Sequence, residues 1–476
     1  MRVLGVASEC VPLIKTGGLA DVVGALPAAL APQGITVTTL LPGYPAVMAA
    51  IGDAPAVLDL PDRFGPARLR AARVAGLDLL VLEAPQHFGR PGNPYNGPDG
   101  AAWADNGLRF AALGFAAAEA ATALGFETVH AHDWQAGLAA AYLRLTAPAR
   151  IPCVFTIHNL AFQGQFPPAL FPRLGLPPGA WGIDGLEYFG SVGFLKAGLW
   201  YADRITTVSP TYAEEIRTAA GGMGLDGLLC GRAGVVSGIL NGLDDAAWDP
   251  ARDPALVARF SATDPAPRPA NKPALQARFG LAPDPAAPLF AFVGRLAWQK
   301  GMDLVLEALP ALLAERGQLA ILGTGDAALE ARCLGAAVAH PGRVGAVIGF
   351  DDALARLCYG GADAILVPSR FEPCGLAQLC ALRYGAPPIV ARTGGLADTV
   401  IDANDVALAA GCATGVRFAP GDAAMLASAV QRTAAMITAG TDWARIRTNA
   451  MACDVSWRRS AERYAALFRE IAATDG

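Results

Sequence analysis

The chain has 476 residues, of which 53% are hydrophobic and 17% charged, with a formal net charge of -5. That length suits two or three domains with large cores, and so apolar a composition excludes a disordered chain. The acidic balance argues against a nucleic-acid partner, and the absence of an uninterrupted apolar run of about 18 residues argues against a membrane span. No secretory leader is expected, because the short apolar stretch after Arg2 runs into Glu9 and a glycine-rich turn. The nine cysteines are scattered without short paired spacings, which fits free thiols in a cytoplasmic protein better than a disulfide framework or a zinc site.

In chain order, residues 2–7 read as a strand and 19–31 as the helix that follows. Residues 35–40, 77–82, 128–132, 153–157 and 204–208 read as further strands, and the alanine-rich stretch 110–126 as a buried helix. The rhythm resumes at 290–293, 319–322, 344–348, 364–367 and 388–390. Strands alternating with helices predict parallel, doubly wound sheets. The Pro-, Asp- and Ala-rich segment 244–288 reads as the seam between two Rossmann-like halves, giving expected boundaries of 1–243, 244–453 and a terminal helix in 454–476 that crosses back to the first half. In such sheets ligands sit beyond the carboxyl ends of the strands, so chemistry is sought just after each strand.

Basic residues number 37, yet only Lys15, Lys196, Lys272 and Lys300 are lysines. A chain that otherwise uses Arg has a specific reason for a compact, mobile ammonium, so each lysine is a candidate ligand contact. Lys15 leads into Thr16-Gly17-Gly18-Leu19-Ala20-Asp21 at the mouth of a helix. That segment is either a structural turn or a phosphate cradle of backbone N–H groups. His130-Ala131-His132-Asp133-Trp134 and Thr156-Ile157-His158-Asn159 each end a strand. They read either as hydrogen bonding at the core rim or as a polar floor for a sugar, and no third and fourth ligand supports a metal. Arg295 and Lys300 lie on one strand-to-helix loop, suited to clamp a diphosphate. Glu372 follows on another, in Ser369-Arg370-Phe371-Glu372-Pro373-Cys374-Gly375-Leu376. Thr393-Gly394-Gly395-Leu396-Ala397-Asp398 then echoes the first Gly-Gly turn, as if two related folds faced each other.

Together these motifs, in this order and over nearly the whole chain to Ser456-Trp457, resemble the bacterial glycogen synthase and plant starch synthase family. The resemblance implies a GT-B fold, two Rossmann-like domains across a cleft. It implies retaining transfer of glucose from ADP-glucose to the non-reducing 4-hydroxyl of an α-1,4-glucan, with no metal or cofactor beyond the sugar-nucleotide substrate. By motif match it gives catalytic roles to Lys15, His158, Lys272, Arg295, Lys300 and Glu372. It gives substrate contacts to Gly17, Gly18, Asp21, Tyr95, Asp133, Trp134, Asn159, Asn241, Phe350, Cys374, Gly375, Leu376 and Thr393.

Two departures stand out: Phe350 where the family often has Tyr against adenine, and Asn96-Gly97 after Arg90-Pro91-Gly92-Asn93-Pro94-Tyr95 where an acid is usual. Three other readings stay open on sequence: a transferase using UDP-glucose or another acceptor, a phosphorylase whose pyridoxal phosphate only Lys196 could hold, and a binding protein on an inactive scaffold. Loss of Lys15, Arg295, Lys300 or Glu372 would mark the last, and all four are present.

Overall fold

In the computed structural model, which describes residues 1–473, the chain forms two compact units. One comprises Met1–Asn241 together with the chain from Trp457 onward, and the other Gly242–Ser456.

The first unit is built on a nine-stranded sheet. Its strands are β1 (Arg2–Val6), β2 (Thr36–Pro42), β3 (Ala56–Asp59), β4 (Arg68–Val74), β5 (Leu77–Glu83), β6 (Thr128–His132), β7 (Cys153–Ile157), β11 (Arg204–Thr207) and β12 (Val236–Gly238). The intervening β8 (Gln165–Phe166), β9 (Glu187–Tyr188) and β10 (Ser191–Gly193) make a separate small antiparallel sheet. The large sheet runs β12-β11-β7-β6-β1-β2-β5-β4-β3, parallel as far as β5, with β4 and β3 added antiparallel. Continuous apolar strands fit its centre because helices cover both faces. The helix Asn106–Ala123, buried along most of its length, supplies one cover, its alanines allowing close approach to β1 and to the helix Asp133–Leu145. On the other face the helix Arg458–Ala473 packs Tyr464, Ala465 and Phe468 against Val3, Val22, Leu26 and Val154.

The second unit has a six-stranded, wholly parallel sheet of β13 (Leu289–Val293), β14 (Gln318–Gly323), β15 (Val344–Ile348), β16 (Ala364–Val367), β17 (Pro388–Ala391) and β18 (Val416–Phe418). The order β15-β14-β13-β16-β17-β18 puts the reversal of winding between β13 and β16. Residues 244–288, expected as a seam, are folded into this unit. Leu256, Phe260, Leu275 and Phe279 are buried in its core, and Arg268 is buried while bonding the carbonyls of Tyr359, Ala362 and Tyr384.

Candidate functional site

In the first unit three adjacent strands, β7, β6 and β1, deliver the expected residues to one edge. After β1 the chain turns through Ser8–Gly17 into the helix Gly18–Leu30. Lys15 and Asp21 form a half-exposed ion pair there, 2.7 Å apart. The turn is organised by a buried carboxylate that sequence reasoning missed. Glu9 accepts from the backbone N–H and, at 2.6 Å, the hydroxyl of Thr16, from the Gly17 N–H at 3.2 Å, and from the Tyr95 hydroxyl. Of the Gly17-Gly18 amides that a phosphate cradle would offer, the Gly17 N–H is therefore taken by the protein's own anion. Ser8 bonds the same Tyr95 oxygen at 2.8 Å, which is how a residue from beyond β5 reaches the β1 loop. Burial and the Glu9 charge hold the Tyr95 phenol well above its ordinary pKa. The one sequence signal for Glu9 was a carboxylate placed directly after an apolar strand.

At the end of β6, Asp133 has φ +56°, a left-handed backbone that non-glycine residues adopt mainly where surroundings enforce it. Its carboxylate accepts the backbone N–H groups of His158 at 2.7 Å and Asn159 at 3.4 Å, tying the ends of β6 and β7 together. Desolvation raises its pKa to about 7. Trp134 packs edge-on against Phe110, ring centres 5.0 Å apart, and beside Phe166 and Tyr95. His158 bonds His132 at 2.9 Å, and burial lowers its pKa to about 3, so its ring is neutral at physiological pH. A neutral imidazole suits sugar hydroxyls rather than phosphate charge. Asn159 turns its side chain back to the Ala161 N–H. Asn241 follows β12, and its Oδ1 finds no hydrogen bond among the described residues.

In the second unit the reversal between β13 and β16 carries the densest chemistry, as expected for an open α/β sheet. Lys300, after β13, lies 2.5 Å from Glu372 Oε2, and the Ser369 hydroxyl donates to that same oxygen at 2.9 Å. Glu372 is 5% exposed, and its Oε1 takes no hydrogen bond among the described residues. Arg295 is exposed and unpaired among the described residues. The two loops are stapled by a second missed pair: Arg370 grips Asp303 through two bonds of 2.7 and 2.8 Å while lying over the Trp298 ring. Arg370 N–H also donates to Gln299 O, and the Gln299 amide to Phe371 O. Gly301, with φ +72°, permits the contact, since a Cβ there would stand 2.2 Å from Pro368 O.

The remaining residues of this unit divide. Cys374 is buried behind Glu372, while Gly375 and Leu376 lead into the helix Ala377–Arg383. Thr393 stands just before the helix Gly394–Thr399 that follows β17, and the Gly395 N–H donates to Glu372 O at 3.1 Å, so this Gly-Gly turn packs against the Glu372 loop. Phe350, beyond β15, is 83% exposed. Lys272 does not join the cluster. Its ammonium bonds Pro285 O, Ala287 O and Asp363 at the amino ends of β13 and β16, the opposite edge of the sheet. Lys196 likewise is buried against the carbonyls of Ile183 and Glu187, a structural use of a rare residue.

Residues 2–230 match the model of the starch synthase catalytic domain, and residues 287–435 that of group 1 glycosyl transferases. A glycogen synthase of Acidiphilium cryptum is 59% identical over 476 residues, covering 99% of both chains. One from Rhodopseudomonas palustris strain BisB18 is 57% identical, covering 99% of this chain and 97% of that one. Among solved structures, the catalytic domain of starch synthase IV from Arabidopsis thaliana, bound to ADP and acarbose, superposes with a TM-score of 0.89 at 31% identity over 99% of each chain. The fold is thus the GT-B glycosyltransferase fold of two Rossmann-like units, and the chain belongs to the glycogen synthase and starch synthase family.

Proposed function

We infer that this protein is a glucosyltransferase that elongates an α-1,4-glucan from ADP-glucose, with retention at the anomeric carbon and release of ADP. The observation that carries this reading is the arrangement at the β13–β16 reversal. A buried glutamate has one oxygen committed to Lys300 and Ser369 and the other open to a hydroxyl, with an unpaired arginine on the same loop as the lysine.

Transfer breaks the bond between glucose C1 and the β-phosphate oxygen and forms one between C1 and the acceptor O4 on the same face. The acceptor proton passes to the departing phosphate. Negative charge grows on that phosphate as the bond opens, and Arg295 and Lys300 are the groups that stabilise it most where it grows. Lys300 also orients Glu372 through their 2.5 Å contact, so that Oε1 accepts from glucose hydroxyls. Cys374 and Gly375 supply backbone beside the sugar and phosphate, with Leu376 and Thr393 shaping that wall, and Phe350 offers a face to adenine.

From the first unit, neutral His158 bonds a sugar hydroxyl, and Lys15, beside Gly17 and Gly18, reaches the nucleotide sugar as a mobile charge. Asp21, Tyr95, Asp133, Trp134, Asn159 and Asn241 line the sugar and acceptor side. Lys272 is given a structural part. No metal or other cofactor enters the scheme. The partners are the sugar nucleotide and the glucan, and the reaction is assigned to the cytoplasm, in keeping with nine free thiols.

The test is transfer of radiolabelled glucose to glycogen from ADP-glucose and from UDP-glucose. ADP-glucose is expected to be the better donor, and Glu372→Gln is expected to lower kcat by about 100-fold or more. Preference for UDP-glucose, or near-wild-type turnover by the Gln variant, refutes the donor assignment or the role of Glu372 respectively.

A further inference from the structure

Two rows of polar side chains cross the strands at the centre of the first unit. In the inner row Thr206 Oγ1 lies 2.6 Å from Thr156 Oγ1, which lies 2.7 Å from His130 Nε2. In the outer row His132 Nδ1 lies 2.9 Å from His158 Nε2. His130 and His132 are two apart on β6 and so share a face, with ring centres 4.0 Å apart. Tyr464 and Phe468 close over His130. Asp133 holds the backbone of His158 but not its ring. Desolvation depresses the pKa of all three imidazoles, His130 and His158 to about 3 and His132 well below its usual value. All three are neutral near pH 7.

A neutral imidazole has one N–H and one bare nitrogen. The contact between His132 and His158 therefore holds a single proton. When His132 donates it, His158 must carry its own proton on Nδ1, and that atom is a donor. When His158 donates it, Nδ1 is bare and is an acceptor. The chemistry of the remaining His158 nitrogen is thus coupled to the tautomer of its neighbour.

We propose that His132 is a positioning residue for glucosyl transfer, fixing the ring plane and tautomer of His158 and so deciding whether it offers the sugar a donor or an acceptor. The inference rests on the reading of His158 as sugar-facing. Asp133 anchors the backbone of that residue and His132 its ring, so two neighbours on one strand end set its geometry.

Two substitutions separate positioning from packing. His132→Phe fills the space and removes the bond. His132→Asn leaves a void but puts an amide where Nδ1 was. The Phe variant is expected to lower kcat by about 10- to 100-fold, the effect of misplacing a reacting-centre contact by an ångström or losing an outer-sphere orienter. Its KM for ADP-glucose should stay within about threefold of wild type. The Asn variant should recover most of that kcat despite a lower Tm.

With only five histidines, the chain labelled with 15N-histidine allows the ring nitrogens to be assigned by long-range proton–nitrogen spectra. His158 should show one tautomer in the wild type and a changed or mixed one in His132→Phe. Unaltered His158 nitrogen shifts in the Phe variant, or a kcat within about twofold of wild type, overturns the proposal. Equal losses in the Asn and Phe variants overturn it too. Should the wild-type chain transfer no glucose, the functional reading falls while the nitrogen shifts still decide whether His132 governs His158.

Discussion

Burial of neutral histidines makes the first unit acid-sensitive in a calculable way. His130 in the folded chain refuses a proton until about pH 3, whereas in the unfolded chain it takes one below its ordinary value of 6.5. Its contribution is therefore whole above about pH 6.5 and is lost as the pH falls, at about 1.4 kcal/mol per pH unit, because the unfolded state binds the extra proton. By pH 5 this one residue has cost about 2 kcal/mol, and His158, with the same depressed value, a similar amount.

The perturbation is His130→Gln, whose amide reaches the Thr156 hydroxyl without titrating. Lost packing against Tyr464 and Phe468 shifts its whole stability curve downward, but the slope is what matters. Urea unfolding of the first unit, followed between pH 4.5 and 7.5, should show a slope shallower than wild type by about 1.4 kcal/mol per pH unit below pH 6. Curves that run parallel would mean His130 is protonated in the folded state, and the neutral, desolvated strand end argued above would be wrong.

Three further outcomes follow from the loops. Asp303→Ala, which frees Arg370 and loosens the loop carrying Lys300, should lower kcat by about tenfold while costing about 1–3 kcal/mol, measured by initial rates and thermal unfolding. Glu9→Ala leaves the Thr16 and Gly17 N–H groups and the Tyr95 hydroxyl without their acceptor; it should cost about 2 kcal/mol or more and impair turnover, whereas Glu9→Gln, which keeps one acceptor, should lose less of both. Gly301→Ala meets Pro368 O and a left-handed backbone at once, and should destabilise the second unit by about 2 kcal/mol or more while lowering activity through Lys300; an unchanged Tm would show that the two loops do not touch.

Much of the architecture could be read from residue order because parallel sheets bury both faces of their strands. Runs such as Val3-Leu4-Gly5-Val6 or Ala364-Ile365-Leu366-Val367 therefore announce themselves. The strands 56–59 and 68–74 did not. They lie at the sheet's edge, antiparallel and partly exposed, and Arg68, Arg70 and Arg73 break up their apolar signal. The loops after β1, β6, β7, β13 and β16 were legible because charge and glycine concentrate where strands end. What those groups bond to was not. Rarity singled out all four lysines, yet it cannot separate an ammonium available to a ligand from one satisfied by carbonyls, as Lys196 and Lys272 are. Two Gly-Gly turns looked alike in sequence, but one amide of each has a different partner, Gly17 donating to the Glu9 carboxylate and Gly395 to the Glu372 carbonyl. Partners brought from 86 residues away, as Tyr95 is to Glu9, leave no local trace.

The closing of the β1 face by the helix Arg458–Ala473 bears on how the protein is made. Val3, Val22 and Leu26 leave the ribosome early, but Tyr464 and Phe468 are synthesised only after the whole of Gly242–Ser456. At roughly 5–20 residues per second, that is a delay of about 10 to 40 s. During it the first unit carries an uncovered apolar stripe, so nascent chains stalled within the second unit should be the ones that chaperones hold.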